Sequence, residues 1–190
     1  MAEVKKVIVM ASNAKTFFDE NDQLAESLAE MYCQVWKEPP WNEDSWNVDE
    51  VKVELIQLNC KYSSIGCYAI HESEKCKAIV GFTLGYQISK EKMGNISSGR
   101  ELDYLFGNKI VFYIDELAVC REFRQQGIAS TLCKNLIDNA IDSGSQLIVL
   151  RTDKDAVAAR KVYERQGFRD IGIKDGKYST RTYLIKEVEK

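Results

Sequence analysis

VFYIDELAVCREFRQQG, residues 111–127, runs directly into IASTLCKNLIDNAIDSG, residues 128–144, and this stretch decides how the chain is read. An apolar strand carrying two adjacent carboxylates, Asp115 and Glu116, leads into a short basic turn, and the turn opens a helix at Gly127. In that helix Ile128, Ala129, Leu132, Cys133, Leu136, Ile137, Ala140 and Ile141 recur in rows four residues apart, which marks one buried face, and Gly144 ends it. The first turn of a helix has backbone N–H groups without intrahelical partners and carries the positive end of the helix dipole, so it is a ready anion site. Gly127 leaves room for close approach, Ala129 keeps the next position small and Arg124 brings a charge, so a diphosphate would fit. On the pattern alone, an equal reading is that Gly127 merely turns the strand into the helix.

Upstream, Val7–Met10 reads as a first strand, and Leu24, Leu28, Met31, Tyr32, Val35 and Trp36 recur at helical spacing until Pro39 and Pro40 stop them. Val51, Leu55 and Leu58 suggest a second helix, although the alternation of Val53 and Leu55 also suits a strand. Cys67–His71 and Ala78–Ile88 read as a β-hairpin across the polar turn 72–77. Lys90–Asn108 is mostly polar and glycine-bearing, a loop with one helical turn near Leu102–Phe106. Downstream, Gln146–Thr152 is a buried strand and Asp155–Gln166 a helix ended by Gly167. Phe168–Ile173 and Ser179–Val188 form a hairpin across Asp175–Gly176. The order β-α-α-β-β-β-α-β-α-β-β predicts one α/β (α+β) domain over residues 1–190, a mixed sheet with helices packed on it.

Composition narrows the function classes. Lys and Arg total 26 against 29 Asp and Glu, a net charge of −3, so the basic footprint of a nucleic-acid binder is missing. The cysteines, Cys33, Cys60, Cys67, Cys76, Cys120 and Cys133, contain no C-x-x-C pair and read as reduced core residues of an intracellular protein. The apolar run VIVMA near the start is too short for a secretory core, and no segment is long enough to span a bilayer, so a cytoplasmic location is expected. His71, the one histidine, gives little support to hydrolase triads or zinc sites, and no metal is expected. The turn before the helix has neither G-x-G-x-x-G nor G-x-x-x-x-G-K-[ST], which removes the dinucleotide and P-loop readings.

Two ordered motifs resemble the GNAT superfamily of N-acetyltransferases. Arg124-Gln125-Gln126-Gly127-Ile128-Ala129 is similar to its R/Q-x-x-G-x-G/A signature at a strand-to-helix turn. Ala159-Arg160-Lys161-Val162-Tyr163, closing on Gly167-Phe168, is similar to the family's A-x-x-x-Y helix and its Gly-Phe end. The resemblance implies a mostly antiparallel central sheet of about seven strands, splayed at the fourth and fifth, with acetyl-coenzyme A as cofactor. Leu117, Ala118 and Val119 would then offer backbone groups to the pantetheine arm and acetyl carbonyl. Arg124, Gln125, Gln126, Gly127, Ile128, Ala129 and Ser130 would line the pyrophosphate. One position departs: where the family often has an asparagine touching the cofactor arm, seven residues before the helix tyrosine, this chain has Ala156.

The implied reaction moves acetyl from a thioester directly to an amine, whose ammonium form has a pKa near ~10 and must lose a proton first. Asp115 and Glu116 are the candidates to take it. Adjacent strand residues point to opposite faces, so only one of them reaches the acceptor unless a bulge intervenes. The segment Ile114–Leu117 resembles that of aminoglycoside N-acetyltransferases, which favours Asp115, with Glu116 close behind. Tyr163 is the implied general acid for the departing thiolate; read without the family, it is a core aromatic. For the acceptor, Trp41 and Trp46 in the segment QVWKEPPWNEDSW are candidate pocket walls, Trp36 reading better as packing. Asp153 either faces a substrate ammonium or caps the next helix, with Asp155 its rival for the cap. The expected substrate is a small cationic amine, aminoglycoside- or polyamine-like; a protein N-terminus or lysine and a non-catalytic acyl-coenzyme A sensor are the alternatives. No nucleic-acid or membrane partner is expected, and a homodimer stays open.

Overall fold

The structure is a computed structural model, and it describes residues 6–12, 22–59, 61–73, 77–98 and 102–188. Its strands are β1 (Lys6–Ser12), β2 (Ile65–Glu72), β3 (Lys77–Gln87), β4 (Val111–Val119), β5 (Leu147–Asp153), β6 (Arg169–Lys174) and β7 (Arg181–Glu187). Its helices are α1 (Asp22–Trp36), α2 (Val48–Asn59), α3 (Lys90–Ile96), α4 (Ile128–Asp142) and α5 (Val157–Arg165). The strands form one seven-stranded sheet in the order β1-β2-β3-β4-β5-β7-β6. Every neighbouring pair is antiparallel except β4 and β5, which run parallel.

Strand alternation sends the core to both faces. Tyr68 and Ile70 of β2, Phe82 and Leu84 of β3 and Ala118 of β4 pack under α1 and α2, against Leu28, Met31, Val51 and Leu55. The intervening residues Cys67, Ala69, Val80, Phe112 and Ile114 face Leu132, Leu136 and Ile137 of α4. Beyond α1 and α2 on the first face, Tyr86, Tyr113, Val149 and Tyr183 are covered by Met93, Leu102 and Phe106.

Residues 48–59 are helical, which resolves the alternative at Val53: Val51 and Leu55 are buried while Val53 is 54% exposed, the spacing of one helix face. Part of the expected loop 90–108 is instead α3. The Ser89 hydroxyl caps it by accepting the Lys92 N–H at 3.3 Å, and its one buried side chain, Met93, is too sparse a signal for periodicity to find. The expected turn near Leu102–Phe106 is a short 3-10 segment, Asp103–Leu105. Helix α5 is shorter than the reading 155–166, and the β6–β7 hairpin is interrupted between Asp170 and Lys174, where Gly172 has φ +72°. Cys33, Cys67 and Cys133 are buried free thiols and Cys120 is partly exposed; Cys60 and Cys76 lie outside the described residues. Among the described residues no helix is long and apolar enough to cross a membrane, and no three His, Cys, Asp or Glu side chains are grouped to hold a metal.

Candidate active site

Strands β4 and β5 are paired only from Val111↔Leu147 to Ile114↔Leu150. Past Ile114, β4 continues to Val119 and β5 to Asp153 without touching, so their facing backbone edges have no strand partner. Buried backbone polar groups need partners, and an opened seam invites a ligand that supplies them. The gap widens into a cleft of about 1270 Å³, larger than the ~300–1,000 Å³ that suits one small ligand.

The sheet carries an irregularity where the carboxylates sit. On β3, Leu84 opposes Glu116 while the next residue, Gly85, opposes Ile114, so Asp115 is an extra, unpaired residue on β4. A bulge of this kind breaks the alternation of faces. Tyr113 and Asp115 before it, and Glu116 and Ala118 after it, consequently share the face under α1 and α2. The expectation that only one carboxylate reaches the cleft is corrected: both line it. Gly85 permits the bulge, since a Cβ there would lie 2.3 Å from the Phe112 ring and 2.8 Å from the Tyr113 carbonyl.

The two carboxyl groups live in different surroundings. Asp115 Oδ2 accepts the Tyr86 hydroxyl at 3.1 Å and lies 3.5 Å from Lys61 Nζ, which also sits 3.9 Å above the Tyr86 ring. Glu116 Oε1 accepts the Tyr32 hydroxyl at 3.2 Å. Burial, then the neighbouring Asp115 charge, holds the Glu116 carboxyl well above the usual carboxylate range and outweighs the Tyr32 bond. Asp115 thus has a cation and a phenol beside it while Glu116 has the Tyr32 hydroxyl, and adjacent carboxyls in unlike surroundings can take different roles.

At the start of α4, Gly127 is left-handed at φ +79° and no side chain caps the helix. A Cβ on Gly127 would meet nothing within 4 Å, so glycine serves the backbone angle and leaves open space in front of the turn. The first intrahelical bond runs from Thr131 N–H to the Gly127 carbonyl at 3.0 Å, which leaves the N–H groups of Ile128, Ala129 and Ser130 outside the ladder. An uncapped, unobstructed helix start of this form fits a diphosphate. Gln125, also left-handed at φ +62°, lines the same wall. Gln126 does not; its amide donates to the Glu122 carbonyl. Arg124 is engaged within the protein, its Nε donating to the Val119 carbonyl at 3.0 Å and its Nη1 pairing with Glu38 at 2.6 Å. Leu117, Ala118 and Val119 complete this half of the cleft.

Tyr163 stands where the halves meet. Its ring packs edge-on against Phe168 at 5.9 Å, and its hydroxyl has no internal hydrogen bond among the described residues. Burial, followed by Cys133 and Glu116, pushes the phenol well above its ordinary value and keeps its proton on. Ring packing and access to the cleft therefore coexist.

Aromatic side chains wall the other half. Trp41 packs edge-on to Trp36 at 5.4 Å, Trp46 to Tyr32 at 5.3 Å, and all four line the cleft. Asp153 is off the wall: it accepts the Asp155 N–H at 2.9 Å and the Thr180 hydroxyl, so it holds the β5–α5 turn, and neither it nor Asp155 caps α5, whose N-cap is Ala156 with no side-chain bond. Sequence reading missed Tyr32, Lys61, Tyr86, Arg151, Tyr178 and Arg181, all but Tyr86 on the cleft wall. The tyrosines are spaced like core residues, and the cations come from separate elements with no local motif to mark them.

A sequence model described as the acetyltransferase (GNAT) family matches residues 22–168, and the chain belongs to that family. Over 62 residues it is 44% identical to N-alpha-acetyltransferase 30 of Schizosaccharomyces pombe, a match taking in 33% of this chain and 41% of the relative. The chain thus spans about two fifths of that curated relative. Among solved structures, the NatC complex bound to Gag peptide and CoA contains a similar chain, with TM-score 0.67, 18% identity and coverage of 97% and 99% of the two chains. Arabidopsis thaliana NAA60 in complex with a bisubstrate analogue gives TM-score 0.62 and 14% identity, over 96% of this chain and 100% of that one. Aminoglycoside 6′-acetyltransferase type Ii gives 0.64 and 15%, over 96% and 99%. These likenesses establish the fold, including the mostly antiparallel seven-stranded sheet opened at its fourth and fifth strands.

Proposed function

We propose that the chain is an acetyl-coenzyme A-dependent N-acetyltransferase acting on a primary amine. The observation that carries this reading is the coincidence of the splayed seam with the bulge at Asp115, which opens the uncapped α4 start, the free β4 edge, both carboxyls and Tyr163 into one cleft. Bound acetyl-coenzyme A supplies an acetyl group activated as a thioester. The N–H groups of Ile128, Ala129 and Ser130 hold the diphosphate, with Gln125 and Gly127 shaping the turn. Leu117, Ala118 and Val119 hold the pantetheine arm and polarise the carbonyl through the β4 edge. Asp115, paired with Lys61 and Tyr86, takes the proton from the ammonium; burial and Asp115 raise the pKa of Glu116, which disfavours a second charge beside that carboxylate. As the amine nitrogen bonds to carbon and the carbon–sulfur bond breaks, Tyr163 returns a proton to the sulfur.

Asp115 and Glu116 at the floor with Trp41 and Trp46 on the wall suit a small cationic amine, polyamine- or aminoglycoside-like. A second reading, a peptide N-terminus, is favoured by the 44% identity to N-alpha-acetyltransferase 30 over the matched segment. Release of free coenzyme A by the purified protein against polyamines, aminoglycosides and short peptides tests both. If acetyl-coenzyme A binds and no amine releases thiol, the chain is an acyl-coenzyme A-binding module and the enzyme reading fails.

A further inference from the structure

The acceptor half of the cleft is bridged from side to side. The connection 37–47 belongs to the α1 side of the sheet, where Trp41 rests on Trp36 and the core beneath α1. Arg181 belongs to the other side of the seam, on β7 opposite Asp153 of β5. Yet the Arg181 guanidinium lies 5.1 Å from the centre of the Trp41 ring and 4.1 Å from that of Tyr178, and its Nη2 is 3.5 Å from Glu43 Oε1. Glu43 is steadied in turn by the Trp46 indole N–H, donating to Oε2 at 2.8 Å. Because its two anchors stand on opposite banks of the β4–β5 gap, this bridge crosses the cleft, and Trp41, Glu43, Tyr178 and Arg181 all line it.

Both abutments are firm. Trp41 is fixed by the aromatic cluster around Trp36 and Tyr32. Tyr178 is presented by a turn whose Lys177 and Tyr178 N–H groups donate to the buried Asp175 at 2.9 and 2.8 Å. The turn is pressed onto the end of α3: Gly176 N–H donates to the Ser97 carbonyl at 3.2 Å, and a Cβ on Gly176 would lie 2.5 Å from the Ser98 carbonyl. A guanidinium within cation–aromatic reach of two rings and ion-paired to a carboxylate is a restrained contact, and it narrows the cleft where it crosses.

We propose that Trp41, Glu43, Tyr178 and Arg181 form a clasp that selects acceptor amines by cross-section: a slender, unbranched chain ending in an ammonium threads beneath it, and a multi-ring amino sugar does not. The inference rests on the N-acetyltransferase reading above and narrows its acceptor. Arg181 acts as a specificity residue, since it belongs to the bridge and the proton transfers fall to Asp115 and Tyr163.

The test compares spermidine, a linear polyamine, with kanamycin, a multi-ring amino sugar, by thiol release and by calorimetric binding, in the parent chain, Arg181→Ala and Arg181→Lys. The parent should favour spermidine at least tenfold in kcat/KM, and Arg181→Ala should narrow that ratio at least tenfold, chiefly by lowering KM for kanamycin. Arg181→Lys keeps the charge and loses the broad guanidinium that reaches both rings, so it should fall between the two; it also carries the comparison if the alanine variant does not fold. A parent that uses both amines equally, or a ratio unmoved in the variants, overturns the clasp while leaving the transferase reading intact. Selective spermidine binding that Arg181→Ala abolishes, with no thiol released, supports the clasp and sinks the transferase reading. Binding of neither amine, or equal binding of both, overturns the clasp.

Discussion

Replacing Asp175 with asparagine should cost about 3 kcal/mol of folding stability at neutral pH, and the cost should shrink on acidification. The Asp175 side chain is fully buried. Its Oδ2 accepts the Tyr183 hydroxyl and Arg151 Nη1, the latter at 2.9 Å, while Oδ1 accepts the Lys177 and Tyr178 N–H groups. Burial alone would raise its pKa, but the bonds from Tyr183, Tyr178 N–H and Arg151 outweigh that and hold it at about 2, against 3.8 for the free group. At ~1.4 kcal/mol per unit this shift is worth roughly 2 kcal/mol. Asparagine adds a second penalty, since its NH2 group must face donors whichever way the amide turns, Arg151 on one side or the Lys177 and Tyr178 N–H groups on the other. Arg151, still 20% exposed, recovers part of the loss from water in the cleft, which keeps the total at the low end of the ~3–5 kcal/mol seen when a buried pair is broken. A melting temperature lower by ~6–12 °C follows for a chain of this size. The sign is fixed by the direction of the shift: the unfolded chain takes up the proton first as pH falls. The Asp175 contribution is therefore whole above its unfolded value of 3.8 and lost as pH drops through about 2. Urea unfolding of parent and variant at pH 7 and near pH 2.5 measures the gap. A gap under ~1 kcal/mol at pH 7, or one that does not narrow in acid, refutes this account of the hairpin anchor.

Glu116→Gln should gain on the parent as pH rises. Burial and then Asp115 raise the folded-state pKa of Glu116, so the folded chain binds more protons than the unfolded chain above the free value of 4.5, and the parent loses stability with rising pH in a way glutamine does not. Urea midpoints at pH 5 and pH 8 decide it; a parallel pair of curves would contradict the burial. Asp115→Asn should lower kcat ~10²–10⁴-fold, and a loss under tenfold in steady-state turnover takes Asp115 out of the proton path. Tyr163→Phe should leave the melting temperature nearly unchanged, because the hydroxyl has no internal partner among the described residues, while kcat falls; a large stability loss with full turnover would return Tyr163 to a packing role. Gly127→Val should cost ~1–2 kcal/mol through the left-handed angle alone, with no clash, and should weaken coenzyme A binding by calorimetry at least tenfold.

The helices with dense apolar rows were legible in the sequence. Leu132, Leu136, Ile137 and Ala140 announce α4, and Gly127 and Gly144 announce its ends, because those residue types answer to local geometry. Met93, the single buried side chain of α3, gives no period, so that helix was hidden behind its glycines. On β4 the residue types were readable and their directions were not. Whether Asp115 and Glu116 oppose or join depends on a register shift that Gly85 permits from the neighbouring strand, and alternation within β4 carries no trace of it. The acceptor wall was least legible, since Lys61, Arg151, Tyr178 and Arg181 converge from separate parts of the chain. Asp153 misled for a related reason: a carboxylate after a strand serves a turn or a ligand equally well until its hydrogen-bond donors are known.

The short pairing of β4 with β5 has a mechanical meaning as well. Across the whole sheet these strands share four register pairs, where β5 and β7 share seven and β3 and β4 share seven. Only the edge strand β6 is held by fewer pairs, three, so within the body of the sheet the seam between β1–β4 and β5–β7 is the most lightly joined line. That line is where the cleft lies, so any load or displacement applied to one half is concentrated on the width of the slot between Asp115 and α5. A protein built this way need not flex throughout to admit and release its ligands; a lightly joined seam and the candidate chemistry share the same line of the sheet.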